Sequence, residues 1–299
     1  MPETQRFGMQ RKVISNMTSA GWRRIPHACF LYELDVTPLM RVLSEVNAGA
    51  GISRAISFNT AMLKIIAEGI RACPKMNSHF RFNSFLVRGR LKTFDRIDAT
   101  IPLMLGRDTM TTLKLPSLET KSMSEIRDGV SDLIRRAKNT HLPQVLYEAA
   151  IHDTLQELKR FRILRVLGRL IGLLTDGSLR ELLHGEAKRK HRATPATERL
   201  TREDVKQGTV TISNPGSLYP RGNGECLLLE IIPPQTVAVA IGAVSDRPSK
   251  GPDGSVSWSK TVKLTVAFDH RALDGIDFIP FLRRIDRLAA APEELLNMV

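Results

Sequence analysis

The run Thr261 to Leu282, TVKLTVAFDHRALDGIDFIPFL, reads as a strand that hands over to a helix, with a histidine at the joint. Val262, Leu264, Val266 and Phe268 alternate with Lys263, Thr265, Ala267 and Asp269, the period of two expected of a strand buried on one face. A rigid strand end holds its side chains well enough for chemistry, and this one delivers His270. Asp274 follows four residues later, and Gly275 lets the backbone turn tightly enough for a carboxylate to brace the loop. By itself the HxxxDG pattern identifies nothing.

The remaining elements mix strands and helices without regular βαβ alternation, which argues an α+β fold: a mixed β-sheet flanked by helices. Helices are expected over Thr4 to Ala20, Pro38 to Val46, Ser57 to Cys73 and Ser122 to Ala137. Strands are expected over Pro26 to Val36, Phe80 to Val87, Arg96 to Leu105, Met110 to Leu115, Thr209 to Ser213, Leu227 to Ile232 and Thr236 to Val244. A helix from Asp277 to Ala290 and a short one from Pro292 close the chain.

Between Pro143 and Leu200 the character changes. Leu158, Phe161, Leu164, Leu167, Leu170, Ile171 and Leu174 interleave with Lys159, Arg162, Arg165 and Arg169, the pattern of a basic amphipathic helix. Gly177 ends it, a shorter helix carries Leu179, Leu182 and Leu183, and Lys188 to Arg192 is a charge run leading into a linker. The chain holds 44 Lys+Arg against 31 Asp+Glu, a net charge of +13, and between Thr154 and Leu200 alone there are 11 basic and 5 acidic residues. That segment lacks the interleaved aromatic residues of a single-strand binder, so nucleic acid is not an expected partner. It is expected to pack as a helical hairpin on its own domain or a neighbouring subunit, to cover an apolar tunnel, or to make peripheral contact with an anionic membrane through 154–192.

No apolar run approaches the roughly 18 residues of a membrane span, and the first residues lack the apolar core of a secretory signal. Cys29, Cys73 and Cys226 lie far apart with no CxxC spacing. A cytoplasmic location, reduced cysteines and no metal site are the expectations.

Three further stretches give the HxxxDG joint its context: Gly208 to Asn214 (GTVTISN), Ile231 to Gln235 (IIPPQ) and Ala238 to Gly242 behind it. In this order and at these separations they resemble the catalytic domain of the dihydrolipoamide acyltransferases of 2-oxo acid dehydrogenase complexes, a domain similar in fold to chloramphenicol acetyltransferase. Ile25-Pro26-His27, Ile56 to Asn59 before a helix that stops ahead of Pro74, and Lys121 to Ile126 look like further landmarks. The resemblance takes residues 1–299 as one catalytic domain carrying 143–200 as a basic helical insertion. Pro215 after Asn214, and Gln10 where an arginine is expected, depart from the family pattern.

The resemblance implies chemistry that suits these residue types. A histidine, with an ordinary pKa near ~6.5, can deprotonate a thiol of pKa near ~8.5 at neutral pH. His270 is implied as that base, acting on the thiol of coenzyme A or dihydrolipoamide; Ser213 as hydrogen-bond donor to the oxyanion; Asp274 as orienter of the loop; Asn214 and Arg271 as residues at the substrate. No covalent cofactor is implied. Acyl-CoA is the expected substrate, and any lipoyl group comes from a carrier domain or dehydrogenase component on another chain. A homotrimer or multiple of three is expected, with His270 and Ser213 contributed by neighbouring subunits. Two other readings stand beside this one: a stand-alone coenzyme A-dependent O- or N-acyltransferase, and a non-catalytic trimeric scaffold. The triple Ser213, His270 and Asp274 argues against the scaffold, which has no need of it.

Overall fold

The computed structural model describes residues 6–49, 51, 54–106, 110–159, 163–175, 178–218, 224–250 and 253–298. In chain order its regular elements are α1 (Met9–Arg24), β1 (His27–Asp35), α2 (Thr37–Asn47), α3 (Phe58–Ala72), β2 (Ser78–Asn83), β3 (Arg88–Thr93), β4 (Ala99–Met104), β5 (Met110–Leu115), α4 (Met123–Lys138), α5 (Leu142–Lys159), α6 (Ile163–Thr175), α7 (Gly185–Ala193), α8 (Arg202–Val205), β6 (Val210–Ser213), β7 (Val237–Lys250), β8 (Val256–Asp269), α9 (Ile279–Ala290) and α10 (Glu293–Leu296). They form two compact units. The smaller comprises Met1–Ser19, Leu103–Lys114 and Ser131–Gln207, and the larger comprises Ala20–Pro102, Leu115–Val130 and Gly208–Val299.

The sheet runs in the order β1-β8-β7-β6-β4-β5. It is antiparallel at β1-β8 and β7-β8 and parallel at β6-β7 and β4-β6, the mixed sheet expected of an α+β fold. Central strands read as apolar runs, with Val237, Ala238, Val239 and Ile241 on β7 all buried. Beside it α3 and α9 pack closely, burying Ile65, Ile66 and Ile70 against Phe281, Ile285 and Leu288. Gly69 allows the approach: a Cβ there would lie 2.7 Å from both Ile285 and Phe281. Ser57 caps the start of α3, its hydroxyl accepting from Thr60 N–H at 3.1 Å.

At the centre of that interface Glu68 is surrounded by cations. Lys64 Nζ lies 3.2 Å from Glu68 Oε1, and the lysine side chain is 0% exposed. Arg71 and Arg284 approach the same carboxylate at 3.4 and 3.6 Å. The Lys64 ammonium makes no hydrogen bond, and the Glu68 carboxylate at 3.2 Å is the ion pair that compensates its buried charge, with Glu125 also acting on it electrostatically.

In the smaller unit Arg136 forms a two-pronged pair with Asp204, both contacts 2.9 Å, and a further bond of 2.7 Å to Asp132. Burial opposes ionisation of Asp204, but the Arg136 guanidinium and the Thr201 donors win and hold its carboxyl below the usual range. Glu181 accepts from the Met9 N–H at 2.9 Å, and the Gln10 amide donates to the Met110 carbonyl.

The structure departs from the sequence expectations at several elements. Leu227 to Ile232 is not a strand. Its polar backbone atoms turn to side chains instead: Ile231 N–H donates to His27 Nε2 at 2.9 Å, and the Cys226 thiol donates to the Leu228 carbonyl at 3.1 Å. Leu229 and Ile231 of this segment pack against Ala267 on the second face of β8, which is buried as well as Val262, Leu264 and Val266. The expected strand to Val87 ends at Asn83, and β3 pairs back on it as a hairpin. The amphipathic region divides into α5 and α6, with Phe161, Arg162 and Gly177 outside the described residues, and the charge run lies within helix α7. Thr4 and Arg221 to Asn223 also lie outside them.

Candidate active site

β8 ends at Asp269 and delivers His270 into a turn, as its alternation predicts. The His270 N–H donates to the Pro26 carbonyl at 3.2 Å, tying the turn to the start of β1. The ring is edge-on to Phe268 at 5.4 Å and more than half exposed. Asp274 Oδ1 lies 3.3 Å from His270 Nδ1, which leaves Nε2 directed away from the carboxylate. That is the arrangement of a base whose outer nitrogen is offered to an incoming proton donor.

Two devices hold the loop. The first is Asp269, whose side chain is 2% exposed. It receives the Arg271 N–H at 3.1 Å and a two-pronged guanidinium contact at 2.9 and 2.7 Å. The Arg271 guanidinium also lies over Phe80 and Phe82 of β2, 5.5 and 5.7 Å from the ring centroids. Its fork is thus occupied within the fold. The second is Asp277, which accepts from Lys75 Nζ at 2.8 Å and from the Asp274 N–H at 2.9 Å, while the Cys73 thiol donates to its carbonyl. The Lys75 hydrogen bond and the Asp274 N–H hold the Asp277 carboxyl below its ordinary pKa.

Ser213 closes β6, and Asn214 turns the chain into the short Pro215–Ser217 helical turn. The Asn214 side chain donates to Asn59 Oδ1 at 3.0 Å and accepts the Ser217 N–H at 3.0 Å, so it shapes the turn behind the serine. Gly216 is required there by close approach, since a Cβ would lie 2.1 Å from the Gly242 backbone. Upstream, Thr211 donates to Gln235 Oε1 at 2.8 Å, and Gln235 donates to the Gly208 carbonyl at 2.9 Å.

Strand register separates Ser213 from His270. Ser213 is level with Ala240 on β7, and Ala240 is level with Thr265 on β8. Because β6 runs parallel to β7 and β8 antiparallel, the serine leaves the sheet in the direction opposite to the histidine. With ~3.3 Å per residue along β8 and ~4.8 Å per strand across, the two positions lie about 20 Å apart within one chain. The structure brings Asp274 to His270, Arg271 to Asp269 and Asn214 to Asn59, and it does not bring Ser213 to His270.

A family model described as 2-oxoacid dehydrogenases acyltransferase (catalytic domain) matches residues 3–148 and 183–297. The chain belongs to this acyltransferase family. The acyltransferase domain is 21% identical, over 290 residues, to the dihydrolipoyllysine-residue acetyltransferase component of the mitochondrial pyruvate dehydrogenase complex of Neurospora crassa, covering 96% of this chain and 48% of that protein. It spans about half the length of the curated relatives it matches. Among solved structures it is similar to a probable dihydrolipoamide acetyltransferase from Listeria monocytogenes, with a TM-score of 0.65 and 19% identity, covering 97% of this chain and 95% of that one. It is equally similar to the cubic core of a pyruvate dehydrogenase multienzyme complex, with a TM-score of 0.65 and 14% identity, covering 99% of this chain and 94% of that one. Both share the fold of this acyltransferase domain.

Sequence reasoning missed the two braces of the His270 loop. Asp269 occupied what looked like a solvent-side position of the strand, and Lys75 carried no signal at all. The opposite charges at Asp269 and Arg271, two residues apart on either side of His270, were the available clue.

Proposed function

We propose that this acyltransferase domain moves an acyl group between coenzyme A and a thiol acceptor, the dihydrolipoyl group of a carrier domain. His270 is the general base, taking the thiol proton at Nε2 while Asp274 holds Nδ1. The thiolate attacks the thioester carbonyl, and the Ser213 hydroxyl donates to the oxyanion of the tetrahedral intermediate, a contact typically worth ~2.7 to 4 kcal/mol. Collapse of the intermediate breaks the carbon–sulfur bond to the donor thiol, and His270 returns its proton to that leaving thiolate. Asn214 shapes the turn that carries Ser213, and Arg271 fixes the His270 loop from beneath.

The observation that carries this reading is the separation of about 20 Å between Ser213 and His270, read from strand spacing and rise. One chain supplies a base at one end of its sheet and an oxyanion donor at the other. A complete site then forms where His270 of one copy meets Ser213 of the next, around a threefold axis. The cubic symmetry of the structurally similar core supports a trimer or multiple of three, because every cubic point group contains threefold axes. Residues 1–299 act as one catalytic domain, with 143–200 added to it; the gap in the family match, 149–182, lies inside that stretch, while 143–148 and 183–200 are matched. A cytoplasmic location agrees with three free thiols, Cys29, Cys73 and Cys226.

The test is an acceptor comparison. Purified protein is given acetyl-CoA or longer acyl-CoAs with dihydrolipoamide, simple amines or alcohols, and free coenzyme A is followed. Release that depends on dihydrolipoamide is the expected result. Release only with an amine or alcohol would assign the domain to stand-alone O- or N-acyl transfer instead.

A further inference from the structure

We infer that the α5–α6 segment is a docking surface for an anionic lipid bilayer. Leu155 and Leu158 on α5, and Ile163, Leu167 and Ile171 on α6, are each between 48% and 61% exposed. On α6 the three exposed residues recur every fourth position and so form one stripe along the helix. Val166, on a different side, is the buried residue of that helix among those described. Water therefore meets an apolar stripe, while α6 reaches α5 through Arg169, whose guanidinium donates to the Thr154 hydroxyl at 3.3 Å. A soluble surface seldom exposes so many large apolar side chains in one place without use.

Charge selects the occupant. The segment from Thr154 to Leu200 has 11 basic and 5 acidic residues, so two copies brought face to face would repel, whereas an anionic surface attracts. Arg169 is exposed and lies roughly 200° around α6 from Leu167, so the helix carries a basic side away from its apolar one. That division is the one an interfacial helix needs: apolar residues enter the acyl boundary, and the net positive charge of the segment draws it to an anionic surface. Among the described residues no helix is long and apolar enough to cross a membrane, so contact is peripheral. All five exposed residues fall within 149–182, the stretch left outside the family match. The surface is thus made of residues outside those the family model matches.

The experiment is flotation of the full chain with vesicles of phosphatidylcholine alone or mixed with phosphatidylglycerol. Wild type is expected to float with the anionic vesicles and not the neutral ones, and less so as salt is raised. Leu167→Glu is expected to lower the bound fraction at least about tenfold with an unchanged melting curve. Arg169→Glu is a second variant that leaves the apolar stripe in place, and it is expected to weaken binding without abolishing it. Wild type that ignores both vesicles, or Leu167→Glu that floats as wild type does, would overturn the assignment. So would disulfide cross-linking of Leu167→Cys between copies in dilute lipid-free solution, which would make the stripe a contact between chains.

Discussion

Replacing His270 with alanine is expected to lower kcat/KM for transfer from acyl-CoA to dihydrolipoamide by about 10²- to 10⁴-fold, the range general base catalysis supplies. The fold should survive. The imidazole is more than half exposed, and its ion-pair contact is with Asp274, itself 73% exposed. Exposed pairs of this kind add little to stability. The backbone bond from His270 N–H to the Pro26 carbonyl is retained by any residue other than proline. Thermal denaturation should therefore superimpose on wild type while activity is lost. A variant that loses activity only in proportion to a loss of folded protein would show the histidine to be structural.

Removing Glu68 should have the largest effect on stability. In Glu68→Ala the Lys64 ammonium, 0% exposed, is left with no carboxylate at 3.2 Å. An uncompensated buried charge typically costs ~3–5 kcal/mol, which for a chain of this size corresponds to a fall in Tm of roughly 5–8 °C. Arg71 and Arg284 lose the same partner, but both reach solvent and bear less of the cost. The double variant Lys64→Met, Glu68→Leu removes both buried charges and is expected to recover most of the loss. Calorimetry or chemical denaturation of the three proteins decides it: equal stability of Glu68→Ala and wild type would show the lysine to be compensated elsewhere. The pair lies on α3, which packs on α9, the helix that follows the His270 loop and the short turn Gly275–Phe278.

How far the sequence could be read depended on contrast between apolar and polar positions. β8 has that contrast, and both its identity and the histidine at its end were legible. Ser213 at the end of β6 was legible for the same reason. β3, with sequence RGRLKT and every residue exposed, has no buried face to mark it and passed unread. Leu227 to Ile232 misled in the other direction: it is apolar because it covers β8, and its hydrogen bonds go to side chains such as His27 that no local pattern reveals. Asp269 shows a related limit. A buried carboxylate looks like a surface one until Arg271 is seen to return to it. The distance between Ser213 and His270 could not be read from spacing along the chain, since it depends on β6 and β8 lying on either side of β7 in opposite directions.

The claim that the active site is shared between chains is tested most directly by mixing two inactive proteins. His270→Ala keeps a sound Ser213, and Ser213→Ala keeps a sound His270. Co-expressed in equal amounts and assembled at random, they should regain about a quarter of wild-type activity, because about one interface in four joins an intact histidine to an intact serine. Activity that stays at the level of the two variants measured separately would contradict a site built from two copies.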